Sequence, residues 1–291
     1  MKCDYFVDVQ LWPLRRTLNA QGWLNNFTDS EKEHSIHLLN GFLYFCSTLI
    51  DQMFVAAIHG ISSQFYSPGD PFLTFQSTWQ QFVDTIVVTY VTGEIPNPSD
   101  SGLGFARKAR QLLGVSENRI TTPDDAVRRL MQQPGPILFV DDFVGSGNQF
   151  LETWRRAVSV AGSTTSFERI STVSGSTFYY CPLFCTQYGY ERLQNQCPAV
   201  ILRPAHVITD RYSALSPESF IWPAHLQTTA VDFLGVASSR AGIPDNDGNV
   251  DDWRGFHKLG LAIAIGDSVP DATLPIFYWE ENGWTPLIRR I

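Results

Sequence analysis

The sequence predicts an α/β protein built on a Rossmann-like, mostly parallel sheet. Short, wholly apolar runs alternate with stretches of helical spacing, the pattern expected of strands covered on both faces by crossover helices. The 291 residues include 44% apolar side chains and eight Trp, enough for a substantial core. A charged fraction of only 17% argues against disorder.

The clearest unit is Ile137-Leu-Phe-Val-Asp141-Asp142-Phe-Val-Gly145-Ser146-Gly147-Asn148-Gln149-Phe150. Its four apolar residues, led in by Pro134-Gly135-Pro136, predict a buried strand that ends on two carboxylates. Charge is costly there unless a ligand or a metal uses it. Phe150, Leu151, Trp154, Ala157, Val158 and Ala161 recur at helical spacing, which predicts a helix over 148–161. Strand, acidic pair, glycine turn and helix start together describe a phosphate cradle. The first amides of a helix lack internal partners, and the helix dipole favours an anion beside them. A solvated acidic turn at an ordinary strand end is the plainer alternative.

A second strand–loop–helix unit lies upstream. Phe82–Val91 is apolar and β-branched and predicts the first central strand, in the same sheet as Ile137–Val140. A polar loop follows through Asp100, Ser101 and Gly102. A helix then carries Phe105, Ala109, Leu112 and Leu113, with Gly114 closing it. Arg107, Lys108 and Arg110 bring positive charge near this loop, or simply form a solvated helix face.

At residues 137–150 the chain resembles the type I phosphoribosyltransferases. Their signature is four apolar residues, two acidic, two apolar, then a short Gly/Ser/Thr loop. The resemblance implies that Asp141 and Asp142 face the ribose 2′- and 3′-hydroxyls and a metal, with Mg²⁺ as the cofactor. It implies that Gly145, Ser146, Gly147, Asn148 and Gln149 hold the 5′-phosphate of phosphoribosyl pyrophosphate or a nucleotide. Asp100, Ser101 and Gly102 would meet the pyrophosphate. Gly145 stands where purine-salvage members often carry a carboxylate, and Gln149 where many carry a small hydroxyl residue. Binding by backbone amides survives both departures; base-specific chemistry need not.

The stretches Trp23-Leu-Asn-Asn-Phe27, Ser101-Gly-Leu-Gly-Phe-Ala-Arg-Lys-Ala-Arg110 and Leu274-Pro-Ile-Phe-Tyr-Trp279, with the tail Gly283-Trp-Thr-Pro-Leu-Ile-Arg289, resemble the phosphoribosyltransferase-like proteins of bacterial conflict systems. That likeness implies a part in anti-phage defence beside a protein partner, and it allows a homo-oligomer. Two activities fit: transfer or cleavage at the ribose anomeric carbon, or non-catalytic sensing or scaffolding in a defence complex. The expected organisation is an N-terminal arm and helical element over 1–75, packed on a phosphoribosyltransferase-like α/β domain over 76–291 with a C-terminal strand extension.

Other readings narrow the classes. A net charge of −8 gives no field for direct nucleic-acid binding. No run reaches membrane-spanning length and no basic-then-apolar leader is present, so a cytoplasmic protein with reduced thiols is expected. Cys181 and Cys185, read as sharing a helix face, lack the His cluster of a zinc site. Asp245–Asp252 fails the spacing of a calcium loop and reads as a polar loop. His34 and His37 read as exposed, and His206 as a strand-end histidine. Asp210 and Arg211 follow a late strand, where substrate contacts often fall.

The remaining elements are expected as an extended arm over 1–25 and a helical region from Glu31 to Ile61, capped at Thr28-Asp-Ser-Glu31. A helix is expected from Pro123 to Met131, a strand over 166–173, a helix over 178–193, and strands at 200–207, 259–265 and 273–279.

Overall fold

The computed structural model describes residues 2–14, 16–93, 101–173, 175–266 and 268–290. In chain order the elements are α1 (Lys2–Asp8), α2 (Ala20–Leu24), α3 (Lys32–Gly41), β1 (Leu43–Phe45), α4 (Ser47–Gly60), α5 (Phe72–Thr85), β2 (Val87–Tyr90) and α6 (Ser101–Leu113). They continue as α7 (Pro123–Gln132), β3 (Pro136–Val144), α8 (Asn148–Arg155), β4 (Val158–Val160), β5 (Ser163–Thr165), α9 (Phe167–Ser171), β6 (Thr177–Thr186) and α10 (Gln187–Gln196). The last are β7 (Val200–Leu202), β8 (His206–Ile208), α11 (Ala230–Ala241) and β9 (Ile263–Ile265).

These elements form two compact units, Asp51–Val207 and the pair Met1–Ile50 with Ile208–Ile291. The sequence reading divided the chain at residue 75; the units divide at 50 and 207, because both ends of the chain build one of them.

In the 51–207 unit, β2, β3, β6 and β7 lie side by side in that order, with β8 also paired to β6. The pairs β2–β3, β3–β6 and β6–β7 are all parallel, with Tyr90 opposite Val140 and Phe139 opposite Tyr180. The protein is thus α/β with a mostly parallel central sheet, as expected. One face is packed with aromatic rings: Phe150 of α8 stacks on Tyr180 at 4.1 Å, and Phe139 meets Phe150 and Phe167 edge-on. On the other face Tyr179 meets Phe82 of α5 edge-on at 5.2 Å. Each large ring buried in this way contributes on the order of 1.5–3 kcal/mol.

Several boundaries differ from expectation, for physical reasons. Phe82 to Thr85 end a helix instead of opening a strand, because Phe72, Phe75, Trp79 and Phe82 recur at helical spacing and the β-branched run starts only at Ile86. The helix after the glycine turn stops at Arg155, not Ala161. Val158–Val160 instead pairs with Ser163–Thr165 around a two-residue turn, Ala161 and Gly162 both at positive φ. Ser166 caps a short helix by accepting from the Arg169 amide at 3.2 Å, so 167–171 is helical and not a strand. The run from 178 is the buried strand β6, and α10 begins only at Gln187; Cys181 and Cys185 therefore lie on a strand. The expected strand at 200–207 is two short ones, β7 and β8, separated by a segment containing Pro204.

In the other unit the 1–25 arm contains α1 and α2, and the 31–61 helical region is broken by β1, which pairs in parallel with β9. Thr28 keeps its expected cap, its amide donating to Glu31 Oε2 at 2.9 Å. Residues 275–277 form a 3₁₀ turn where a strand was expected, and the turn's carbonyl at Ile276 accepts from the indoles of Trp23 and Trp284 at 2.8 and 3.0 Å. Asn26 and Thr285 exchange two hydrogen bonds, which fastens the chain's two ends together.

Candidate functional site

Strand β3 runs on through the acidic pair to Val144, one turn of chain further than the apolar residues alone suggest. Gly145, Ser146 and Gly147 then turn the chain into α8. Gly147 sits at φ 79°, the left-handed region open to glycine, and is the N-cap of α8. The Leu151 amide is bonded back to Gly147 O at 3.0 Å, so the amides of Asn148, Gln149 and Phe150 precede the helix's first backbone bonds. The predicted cradle residues are therefore brought together, with Asn148 and Gln149 exposed at its rim and Ser146 buried beneath.

A neighbouring helix shapes this loop. The Arg192 guanidinium, on α10, donates to Ser146 O at 2.7 Å and to Asn148 Oδ1 at 2.6 Å. Thr186 Oγ1 donates to Gly145 O at 2.6 Å. Arg192 adds a positive charge to a site otherwise made of amides, and nothing in the motif announced it. Its only sequence signal is a lone basic residue in the helix after the next strand.

The two acids differ sharply. Asp141 is only 4% exposed. Its Oδ2 accepts from Tyr180 Oη at 2.9 Å and its Oδ1 from the Asp142 amide at 3.0 Å. Burial, and then the neighbouring Asp142 charge, push the Asp141 carboxyl well above the usual carboxylate range. Burial and the Asp141 carboxyl likewise push the Tyr180 hydroxyl up. Asp142 is only half-buried, and its Oδ1 accepts from the Phe143 amide at 2.8 Å. A hard divalent cation needs ionised, accessible oxygens. Asp142, half-buried, offers the more accessible oxygens; Asp141 is buried and engaged with Tyr180. Among the described residues no group of three or more His, Cys, Asp or Glu side chains is placed to hold a metal.

The second predicted loop leaves the adjacent strand end. Asp100 lies outside the described residues. Ser101 opens α6, and Gly102 sits so close to β2 that an added Cβ would lie 2.8 Å from Val91 O. The stem of the loop is pinned to α8: Thr153 Oγ1 donates to Thr92 O at 3.0 Å and accepts from the Thr92 amide at 3.1 Å. Arg156 donates to Thr92 Oγ1 at 2.5 Å and to Gly93 O at 2.7 Å. Both loops thus issue from the C-terminal ends of neighbouring parallel strands, the edge of an α/β sheet where ligands gather. Lys108 is spent on Asp51 and Arg110 on Glu117, so neither is held for this loop. Arg211 lies over the Phe220 ring at 3.9 Å, and burial pushes the His206 imidazole down.

A parallel α/β sheet with this strand–acid–glycine–helix junction defines a class, and a family model covers the chain. Residues 20–290 match the model of the PRTase-CE family, and the chain belongs to that family. A crystal structure of orotate phosphoribosyltransferase from Aeropyrum pernix is similar at 16% identity and a TM-score of 0.26, over 44% of this chain and 62% of that one. This chain therefore spans less than two thirds of that solved chain. No curated protein matches. No helix among the described residues is long and apolar enough to cross a membrane.

Proposed function

We propose that the crevice at the ends of β2 and β3 binds a 5-phosphoribosyl compound, phosphoribosyl pyrophosphate or a nucleotide, and acts at its anomeric carbon. The observation that carries this reading is Gly147 in the left-handed conformation at the start of α8, a junction that aims successive amides past the strand end. The amides of residues 147–149 hold the 5′-phosphate, and Arg192 adds charge from the side. Asp142 accepts from the ribose hydroxyls; Asp141, buried and bonded to Tyr180, positions the strand end. Asp100, Ser101 and Gly102, the last two at the start of α6, would meet the pyrophosphate. Asp142 would hold Mg²⁺, which would supply charge neutralisation for that leaving group. In transfer, the anomeric C–O bond to pyrophosphate breaks, a bond to the acceptor forms, and the acceptor gives up its proton. Such a reaction rests on positioning and charge stabilisation more than on covalent help.

A non-catalytic sensor of the same ligands is the second reading. The glycine at 145, where the family resemblance leads one to look for a base-side carboxylate, favours it. A role beside a partner protein in anti-phage defence rests on the sequence resemblance and belongs to either reading. Incubation with labelled phosphoribosyl pyrophosphate, Mg²⁺ and a nucleobase panel tests the first: pyrophosphate release supports it. A thermal shift with the same ligand but no turnover supports the sensor, and the absence of any shift removes both.

A further inference from the structure

At the other end of the same sheet, where β2 and β3 begin, the 51–207 unit holds a cavity of about 710 Å³. Val87, Pro136 and Ile137 form its strand wall, and Arg119, Arg129, Asn118, Gln132 and Gln133 supply its polar side chains. Residues of the proposed ribose and phosphate site do not line it, so this cavity is separate from that crevice and independent of the reading given to it.

What singles it out is the state of its arginines. Nearby cations are engaged: Arg110 with Glu117, Arg128 with Asp124 and Asp125, Arg155 with Glu168. Asp125, the acid of α7 that feels the Arg129 charge, is already bonded to Arg128 at 2.6 Å and to Thr122 at 2.9 Å. Among the described residues, neither Arg119 nor Arg129 has a carboxylate or carbonyl bonded to its side chain, or a ring beneath it.

We propose that this cavity is a second anion site, taking a small phosphorylated metabolite. Guanidinium forks match the oxygens of a phosphate group, where two can share one anion. The concavity is open, with Asn118, Arg129, Gln132 and Gln133 exposed at its rim, and it is wider than a bare phosphate fills. The amides of Asn118, Gln132 and Gln133 offer both donors and acceptors to hydroxyls or ring nitrogens on the organic part. A nucleic-acid backbone is the poorer occupant, since the net charge of −8 opposes a polyanion.

Two measurements on the full chain test this. In the first, phenylglyoxal labels arginines in the native protein, with and without inorganic pyrophosphate or ribose 5-phosphate at fixed ionic strength. Modification is read residue by residue by peptide mass spectrometry. Slower labelling of Arg119 and Arg129, by about fivefold or more at saturation, is expected; Arg192 reports separately on ligand at the β3 cradle. In the second, the R119Q/R129Q variant is titrated with the same probes by calorimetry, and one class of binding should weaken by about tenfold or more. Unchanged labelling of both arginines under every probe overturns the proposal. So does a folded R119Q/R129Q protein that binds as the native one does. If that variant fails to fold, the labelling result on native protein decides alone. Protection at Arg192 without protection at Arg119 and Arg129 would leave the crevice reading intact and sink this one.

Discussion

Tyr180 on β6 donates its hydroxyl to Asp141 on β3 at 2.9 Å, in a position where both side chains are buried and Phe150 stacks on the tyrosine ring. The bond converts one half of an acidic pair into part of the core. Burial among aromatic rings disfavours the ionised form, so the Asp141 carboxyl lies above its usual range.

A pH dependence follows. With its folded pKa raised above the unfolded value, Asp141 contributes fully to stability below the unfolded carboxylate range. That contribution declines as pH rises toward the folded pKa. Asp141→Asn removes the titration while keeping an oxygen for Tyr180. The melting temperature of the variant relative to the native protein should therefore rise between pH 5 and pH 8. Melting curves of both proteins at the two pH values check it; a difference that stays constant or falls means Asp141 is ionised in the folded state.

Asp142 should behave in the opposite manner. It is half-buried and hydrogen-bonded through its Oδ1 to the Phe143 amide, and on the proposed reading it is the acid that meets the ribose hydroxyls. Asp142→Asn is expected to weaken a ribose 5-phosphate ligand by about tenfold, the worth of one charge-assisted hydrogen bond, with little change in melting temperature. Asp141→Asn should change affinity less. Calorimetric titration of both variants separates them, and a larger loss at Asp141 would reverse the assigned roles.

The strand at 137–140, the glycine turn and the start of the following helix were legible in the sequence because each is a local matter of apolar run, turn residue and helix start. The unequal burial of Asp141 and Asp142 was not. It depends on β6 lying in parallel register beside β3, which puts Tyr180 within reach of Asp141, and the 178–186 run reads equally well as a buried helix. Arg192 and the Thr92–Thr153 contact were hidden for the same reason: 46 and 61 residues separate the partners. The pairing of the two chain ends through Asn26 and Thr285 has no local signature at all.

Arg192 gives a third test. Its guanidinium holds the Ser146 carbonyl and the Asn148 side chain together, so it fixes the loop and places charge beside the proposed phosphate cradle. Arg192→Gln should weaken binding of ribose 5-phosphate and flatten its salt dependence, because one positive charge is lost. Arg192→Lys keeps the charge but not the fork, and should preserve the salt dependence while losing part of the affinity. Titrations at two or three salt concentrations read both effects. Identical salt slopes for the native protein and the Gln variant would mean that Arg192 serves the loop alone.

The last test concerns the cradle's backbone. Gly147 occupies φ 79°, and a Cβ added there would approach Leu193 Cγ and Cδ2 at 3.0 Å. A β-branched side chain meets both obstacles, the left-handed backbone costing about 1–2 kcal/mol by itself. Ser146 Oγ makes only a long 3.4 Å contact with the Asn148 amide, so Ser146→Ala removes at most about 1 kcal/mol. Gly147→Val should therefore reduce affinity for a ribose 5-phosphate ligand far more than Ser146→Ala. Gly147→Ala, strained by φ but smaller, should fall between them. Because the same strain lowers stability, each titration is run well below the variant's own melting temperature, with folding verified by circular dichroism. A folded Gly147→Val protein that binds as well as Ser146→Ala would show that the loop does not hold phosphate through its amides.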